Sequence, residues 1–132
     1  KPTMKGEFFR ALLENIAFAI RANCEQLREV SGIKIGELRV TGGLARSNFF
    51  LRLISDVTGL TVHSPLEKQG SSLGCAICTA KGVGLYGSFK EAINGMVKRG
   101  ESAEPSPEKH KEYEAIYSKW RRFYEKVAGL GV

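Results

Sequence analysis

Hydrophobic positions recur with a helical period over residues 5–30. At about 100° per residue, Phe9, Leu12, Leu13, Ile16, Ile20, Cys24 and Leu27 share one stripe, while Ala11, Phe18 and Ala22 lie nearly opposite. A helix apolar on two sides is predicted to be covered on both, as between a sheet and another layer. "SGIKIG" ends it. At "ELRVTGG" the period changes to that of a short strand over 37–41. A helix over 47–58 follows, with Ser47 as N-cap and Gly59 as its close. Phe50, Leu53, Ile54 and Val57 make its buried face. "LTVHSP" is a second short strand, stopped by Pro65. The strand–helix–strand order predicts a parallel α/β unit with a right-handed crossover.

"SSLGCAICTAKGVGLYG" predicts a helix over 71–86 lined with small residues. Cys75 and Cys78 sit there among Ala and Gly, where a cysteine packs as a small hydrophobe. As a C-x-x-C the pair could also suggest redox or zinc chemistry, but a four-ligand zinc site needs two further ligands, and His63 and His110 stand in unrelated contexts. "SFKE" at 88–91 has the form of a capping box, with Ser88 capping and Glu91 reaching back, and opens a short helix through Val97. "KRGESAEPSP" is rich in turn formers and predicts a linker over 98–107 to a terminal helix over 107–128. Ser106 caps that helix and Pro107 takes its first position. Tyr113, Ile116, Tyr117, Trp120, Phe123, Tyr124 and Val127 form an aromatic stripe along it. Such a stripe is a docking face; interleaved with Arg121 and Arg122 it would also suit stacking on nucleic-acid bases.

Composition narrows the choice. The chain has 132 residues, 42% hydrophobic and 26% charged, which suits one soluble domain with one core. No apolar run approaches the roughly 20 residues of a membrane span, and the start has no leader pattern. The expectation is a cytoplasmic protein with no membrane partner. Net charge is +6, yet it is spread evenly: residues 1–35 and 36–97 each carry 6 basic and 4 acidic groups, and 98–132 carry 8 and 6. No segment concentrates the positive stripe that nucleic acid favours, so that partner is disfavoured. Three cysteines without a paired framework fit a reducing compartment.

The join at "VTGGLARSNF" carries the strongest chemical signal. A strand ending in two glycines before a helix N-terminus leaves backbone bare beside amide groups that lack intrahelical partners, a favourable place for an anionic or nucleotide ligand. It is neither a Walker A loop nor Gly-x-Gly-x-x-Gly. Taken alone, the pair suits a tight turn without ligand better than a site.

The wider context changes that balance. "ELRVTGGLARSNFFLRLISDVTGLTVHSP" followed by "SSLGCAICTAKGVGLY" resembles the C-terminal domain of the FGGY carbohydrate kinases, in which a strand ends in Gly-Gly before Gly-Ala-x-Ser or Gly-Ala-x-Asn. The helix that follows ends near "ADVLGLPV", and an "ALGAA" helix comes after a short strand. "RALLENIAFAI" is similar to the family's "RALLEGIAFAL" helix, and "PSPEKHKEYEAIYSKWRRFYEKV" to its terminal helix. The ordered similarity covers nearly the whole chain. "LGCAI", "PEKHKEY" and "KW" are most similar to the autoinducer-2 kinase branch, with xylulokinase-like enzymes next.

The resemblance implies an actin-like, ribonuclease-H-like ATPase fold of class α/β, with short parallel strands packed against several helices. It also implies ATP and Mg²⁺ as cofactors, held in a cleft against an N-terminal kinase domain. The parent enzyme would move the γ-phosphate of ATP to a hydroxyl of a small sugar, xylulose-like or autoinducer-2-like. By the same resemblance Gly42 and Gly43 would allow close nucleotide approach, Ser47 would make a polar contact, and Asn48 would be a neighbour. Leu44 departs from the family's frequent third glycine and makes the turn bulkier. Helix 71–86 would back the turn through its small face. The resemblance places the catalytic base and most sugar contacts outside this chain. Asp56, its only aspartate, falls at the helix-end "ADV" position, where a structural role is expected. The chain is thus expected to be a C-terminal portion, inactive alone. Two other readings stay open: a non-catalytic interaction module docking through the Tyr113–Tyr124 stripe, and a basic nucleic-acid binder using Tyr117, Trp120, Arg121, Arg122 and Tyr124.

Overall fold

A computed structural model describes residues 4–129. Helix α1 (Lys5–Ser31) leads into strand β1 (Glu37–Arg39), a single 3₁₀ turn (Gly43–Arg46) and helix α2 (Asn48–Thr58). Strand β2 (Thr61–Pro65) follows, then α3 (Gly70–Gly82), α4 (Phe89–Met96), strand β3 (Arg99–Ala103) and α5 (Pro107–Ala128). The strands form one sheet in the order β1-β2-β3, with β1 parallel to β2 and β3 antiparallel to it.

Local chemistry sets these limits. The Ser47 hydroxyl accepts from the Phe50 amide at 3.3 Å, and Gly59 closes α2 in the left-handed region. Ser106 caps α5, with its hydroxyl accepting from the Lys109 amide, and Pro107 stands at the first position. Ser88 caps α4 as expected, but the Glu91 carboxylate takes the Gly87 amide at 2.9 Å instead of closing a box on Ser88. α3 stops at Gly82, short of 86, where Gly84 turns the chain with φ 77°.

The stretch 98–107, expected to be a linker, contains β3, and the sheet is therefore mixed. Nothing in "RGESA" alternates strongly enough to announce a strand; tertiary contacts make it one. Ala103 enters the core opposite Val62, and Ser55, buried in α2, directs its hydroxyl at the carbonyls of Leu60 (2.8 Å) and Ala103 (3.1 Å). Gly100 lies so close to β2 that an added Cβ would stand 2.7 Å from the Ser64 carbonyl oxygen. Only glycine lets the two backbones approach there.

The core is a sandwich of α1, α2 and α5 over one sheet face. Phe50, Leu51, Leu53, Ile54 and Val57 of α2 meet Val62 and Ala103 of the sheet and Phe18 of α1. Tyr113 and Tyr117 of α5 are buried against Phe18, at ring separations of 6.1 and 5.9 Å. Of the stripe, Tyr113 and Tyr117 thus dock on their own chain, whereas Ile116, Phe123, Tyr124 and Val127 are exposed. Burial raises the phenol pKa values of Tyr113 and Tyr117 above the ordinary tyrosine range. Arg21 ties the three helices together. It bonds Glu25 (3.0 Å), Glu114 (2.7 Å) and the Val57 carbonyl (3.0 Å), and lies 4.1 Å from the Tyr117 ring centre.

α1 uses its two sides unequally. The side carrying Ala17 and Phe18 is buried, while Phe9, Leu12 and Ile16 of the principal stripe are 63%, 46% and 39% exposed. Leu13 and Ile20 of that stripe pack against the core and Cys24 is buried, so the two-sided covering is met in part. On α3, Ile77 and Ala80 are buried, whereas Cys75 and Cys78 are exposed and not packed as expected.

Candidate nucleotide-binding turn

β1 delivers the chain to the turn at its C-terminal end. Gly42 has φ 97° and ψ −175°, a conformation that is essentially restricted to glycine. Its amide donates to the Lys68 carbonyl at 2.9 Å, which fixes the turn to the segment leading into α3. Gly43 opens the 3₁₀ turn with no positive φ. No heavy atom lies within 4 Å of where a Cβ would stand on either glycine. The turn is therefore bare on its outer side, and for different reasons at its two positions. Gly42 answers a backbone requirement; Gly43 answers none among the described residues.

Gly42, Gly43, Leu44 and Asn48 are exposed, and Ser47 is half-buried. All five lie on one short stretch from the turn into the first residue of α2. The Ser47 hydroxyl oxygen accepts from Phe50, and its own proton remains available to donate, so capping and a ligand contact are compatible. Leu44 is 47% exposed, projecting bulk where a glycine would not. Beneath the turn Ala45 is buried. α3 approaches the end of the strand only at its first residue, where a Cβ on Gly70 would meet the Thr41 hydroxyl at 2.8 Å; Cys75, Ala76 and Cys78 of its small face are exposed and do not back the turn as expected.

Beside the turn runs a groove of about 710 Å³ between the open sheet face and the α3–α4 pair. Thr41, Gly70 and Gly74 lie at its end near the turn, and Leu73, Ile77 and Ile93 form an apolar wall. Its floor is polar. Glu37 lies 3.1 Å from Arg39 along β1 and 3.4 Å from His63 across to β2. These three residues were not singled out from the sequence. The alternation in "ELR" and "TVHSP", which sends Leu38 and Val62 to the core and their neighbours to the other face, was the available signal.

Asp56 is structural, as expected. Its carboxylate accepts from the Ser106 amide at 2.9 Å and its carbonyl bonds His110 Nδ1 at 2.8 Å, so it fixes the entry to α5. Among the described residues no group of three or more His, Cys, Asp or Glu side chains is placed to hold a metal ion, and no helix is long and apolar enough to cross a membrane.

Comparison with known proteins agrees with this architecture. Residues 1–83 match the model of the FGGY family of carbohydrate kinases, C-terminal domain. The chain is 36% identical over 126 residues to the autoinducer-2 kinase of Salmonella paratyphi B, covering 96% of this chain and 24% of that protein. The Escherichia coli K12 autoinducer-2 kinase is 34% identical over the same length. The chain thus spans about a quarter of the curated relatives it matches. Among solved structures, the xylulose kinase of Rhodospirillum rubrum superposes with a TM-score of 0.79 at 25% identity, over 97% of this chain and 26% of that one. A xyloylose kinase from Brucella ovis gives 0.81 at 24% identity over the same shares and shows a common fold. This chain belongs to the FGGY family of carbohydrate kinases, within the C-terminal domain.

Proposed function

We propose that this chain is the nucleotide-holding portion of an ATP-dependent sugar kinase, and that the turn Gly42–Leu44 with Ser47 and Asn48 forms its side of the nucleotide site. The observation that carries this reading is Gly43. Neither its backbone angles nor its neighbours require glycine, yet a side chain there would cover the exposed backbone beside the amides that open the helical segment. Clearance for a ligand gives that position a reason.

ATP fits the residues present. The bare turn admits a nucleoside or phosphate against the backbone, the opening amides favour negative charge, and the Ser47 hydroxyl can donate. When bound, ATP supplies the phosphoryl group that passes to a sugar hydroxyl. Mg²⁺ does not fit this chain alone, because the turn presents no carboxylate. The metal would come with the phosphates and with ligands from the remainder of the kinase. The sugar, of the kind named for the autoinducer-2 and xylulose kinases, would likewise be held elsewhere, against an N-terminal lobe. The exposed apolar side of α1 supports such a lobe: Phe9, Leu12 and Ile16 make a face left exposed among the described residues.

The interaction-module and nucleic-acid readings lose Tyr117, which is 5% exposed and packed on Phe18, while Ile116, Phe123 and Tyr124 of the same helix stay exposed.

Amide chemical shifts during titration with ADP test the proposal, since they register weak binding. Perturbations should centre on Gly42, Gly43, Leu44, Ser47 and Asn48, and should vanish in Gly43→Val while persisting in Phe123→Ser, a change at an exposed α5 position. Shifts centred elsewhere, or unchanged by Gly43→Val, overturn it.

A further inference from the structure

The C-x-x-C of α3 takes no part in the nucleotide turn, and the structure exposes both of its thiols. We propose that Cys75 and Cys78 form a reversible dithiol–disulfide couple, closed within α3 by exchange with a low-molecular-weight disulfide.

Geometry permits closure. Residues three apart in a helix share a side, with Cα atoms about 5 Å apart from the rise and radius of the helix. That separation falls inside the window of roughly 4.4–6.8 Å that disulfides span. Their Cβ atoms, at about 5–6 Å in a regular helix, must close to about 4 Å. The turn between them must tighten.

The turn is built to yield. The Thr79 hydroxyl donates to the Cys75 carbonyl at 2.9 Å, sharing the acceptor of the helical bond and loosening that turn. Gly74 precedes the pair with open space where a side chain would be. Cys75, Ala76 and Cys78 are exposed, and of the turn they span only Ile77 is buried, so the two thiols close on the side away from the packed one. A bond formed with residual strain on an exposed helix is easily reduced, which makes the couple reversible.

The exchange balances. One thiolate attacks a sulfur of the small disulfide, that S–S bond breaks, and one small thiol leaves with a mixed disulfide formed. The second thiolate attacks the mixed disulfide on the protein sulfur, forming Cys75–Cys78 and releasing the second small thiol. The two cysteines are oxidised by two electrons, the small disulfide is reduced, and the two thiol protons end on the released thiols. Cys24 is an internal reference, since it is buried and burial pushes its thiol pKa up.

Treatment of the native chain with glutathione disulfide, followed by alkylation and intact-mass measurement, reads the outcome. The expected product lacks the mass of two hydrogen atoms, carries no glutathione and keeps one alkylatable thiol only after unfolding. Cys75→Ser and Cys78→Ser should each retain a single glutathione instead, and reduced glutathione should reverse the wild-type change. Cys24→Ser should close like the wild type. Two stable glutathione adducts, a covalent dimer, or thiols that stay unreacted while the chain is folded would each overturn the proposal.

Discussion

At the scale of single residues, adjacent glycines do different work. Gly42 occupies backbone space closed to other residues, whereas Gly43 does not. Gly42→Ala should therefore lower stability by about 1–3 kcal/mol, measured by urea unfolding. Gly43→Ala should leave the urea midpoint nearly unchanged, because its Cβ meets nothing and its φ is ordinary. The sequence marked both positions as unusual without separating them. Their dihedral angles depend on the Gly42–Lys68 hydrogen bond, made to a residue far along the chain. Ser55 was illegible for a similar reason. In "LISDV" it resembles a polar interruption of an apolar face, and only the approach of β3 shows what its hydroxyl holds.

At the scale of elements, helices were the more legible. Caps at Ser47, Ser88 and Ser106 lie beside the residues they serve, so local pattern suffices to find them. β3 fails that test, since its hydrogen-bond partners belong to β2 and its sequence is that of a turn. Arg21 shows how elements are joined once formed. Its guanidinium reaches α5 through Glu114 and the carbonyl end of α2 through Val57, where the helix dipole favours a cation. Because Glu25 and Glu114 are 33% and 47% exposed, the ion pairs are partly screened and most of the value lies in the fork of hydrogen bonds. Arg21→Met should cost about 1–3 kcal/mol, and Arg21→Lys should recover only part of that, because an ammonium cannot make the same fork. Chemical denaturation of the two variants checks the order.

For the whole molecule, the joined core predicts sensitivity to alkali. Burial holds Tyr113 and Tyr117 neutral in the fold, raising their pKa values above those of the unfolded chain. Their contribution is complete below about pH 10. As pH rises beyond it, the unfolded chain ionises first and the fold loses stability. Urea midpoints should fall between about pH 9 and about pH 11, with a shallower slope in the Tyr113→Phe, Tyr117→Phe double variant. The candidate site was legible as a stretch of sequence, and its family pattern is matched over residues 1–83. Its groove was not, because His63 meets Glu37 and Arg39 only when two strands lie parallel in register.

The outer strands carry one further consequence. β1 is three residues long and ends in opposite charges, and β3 is charged, close-set at Gly100 and out of step with β2 between His63 and Pro65. Short, charged and irregular margins give a neighbouring molecule no regular ladder to extend. The sheet can therefore stay unfinished in solution without seeding fibres.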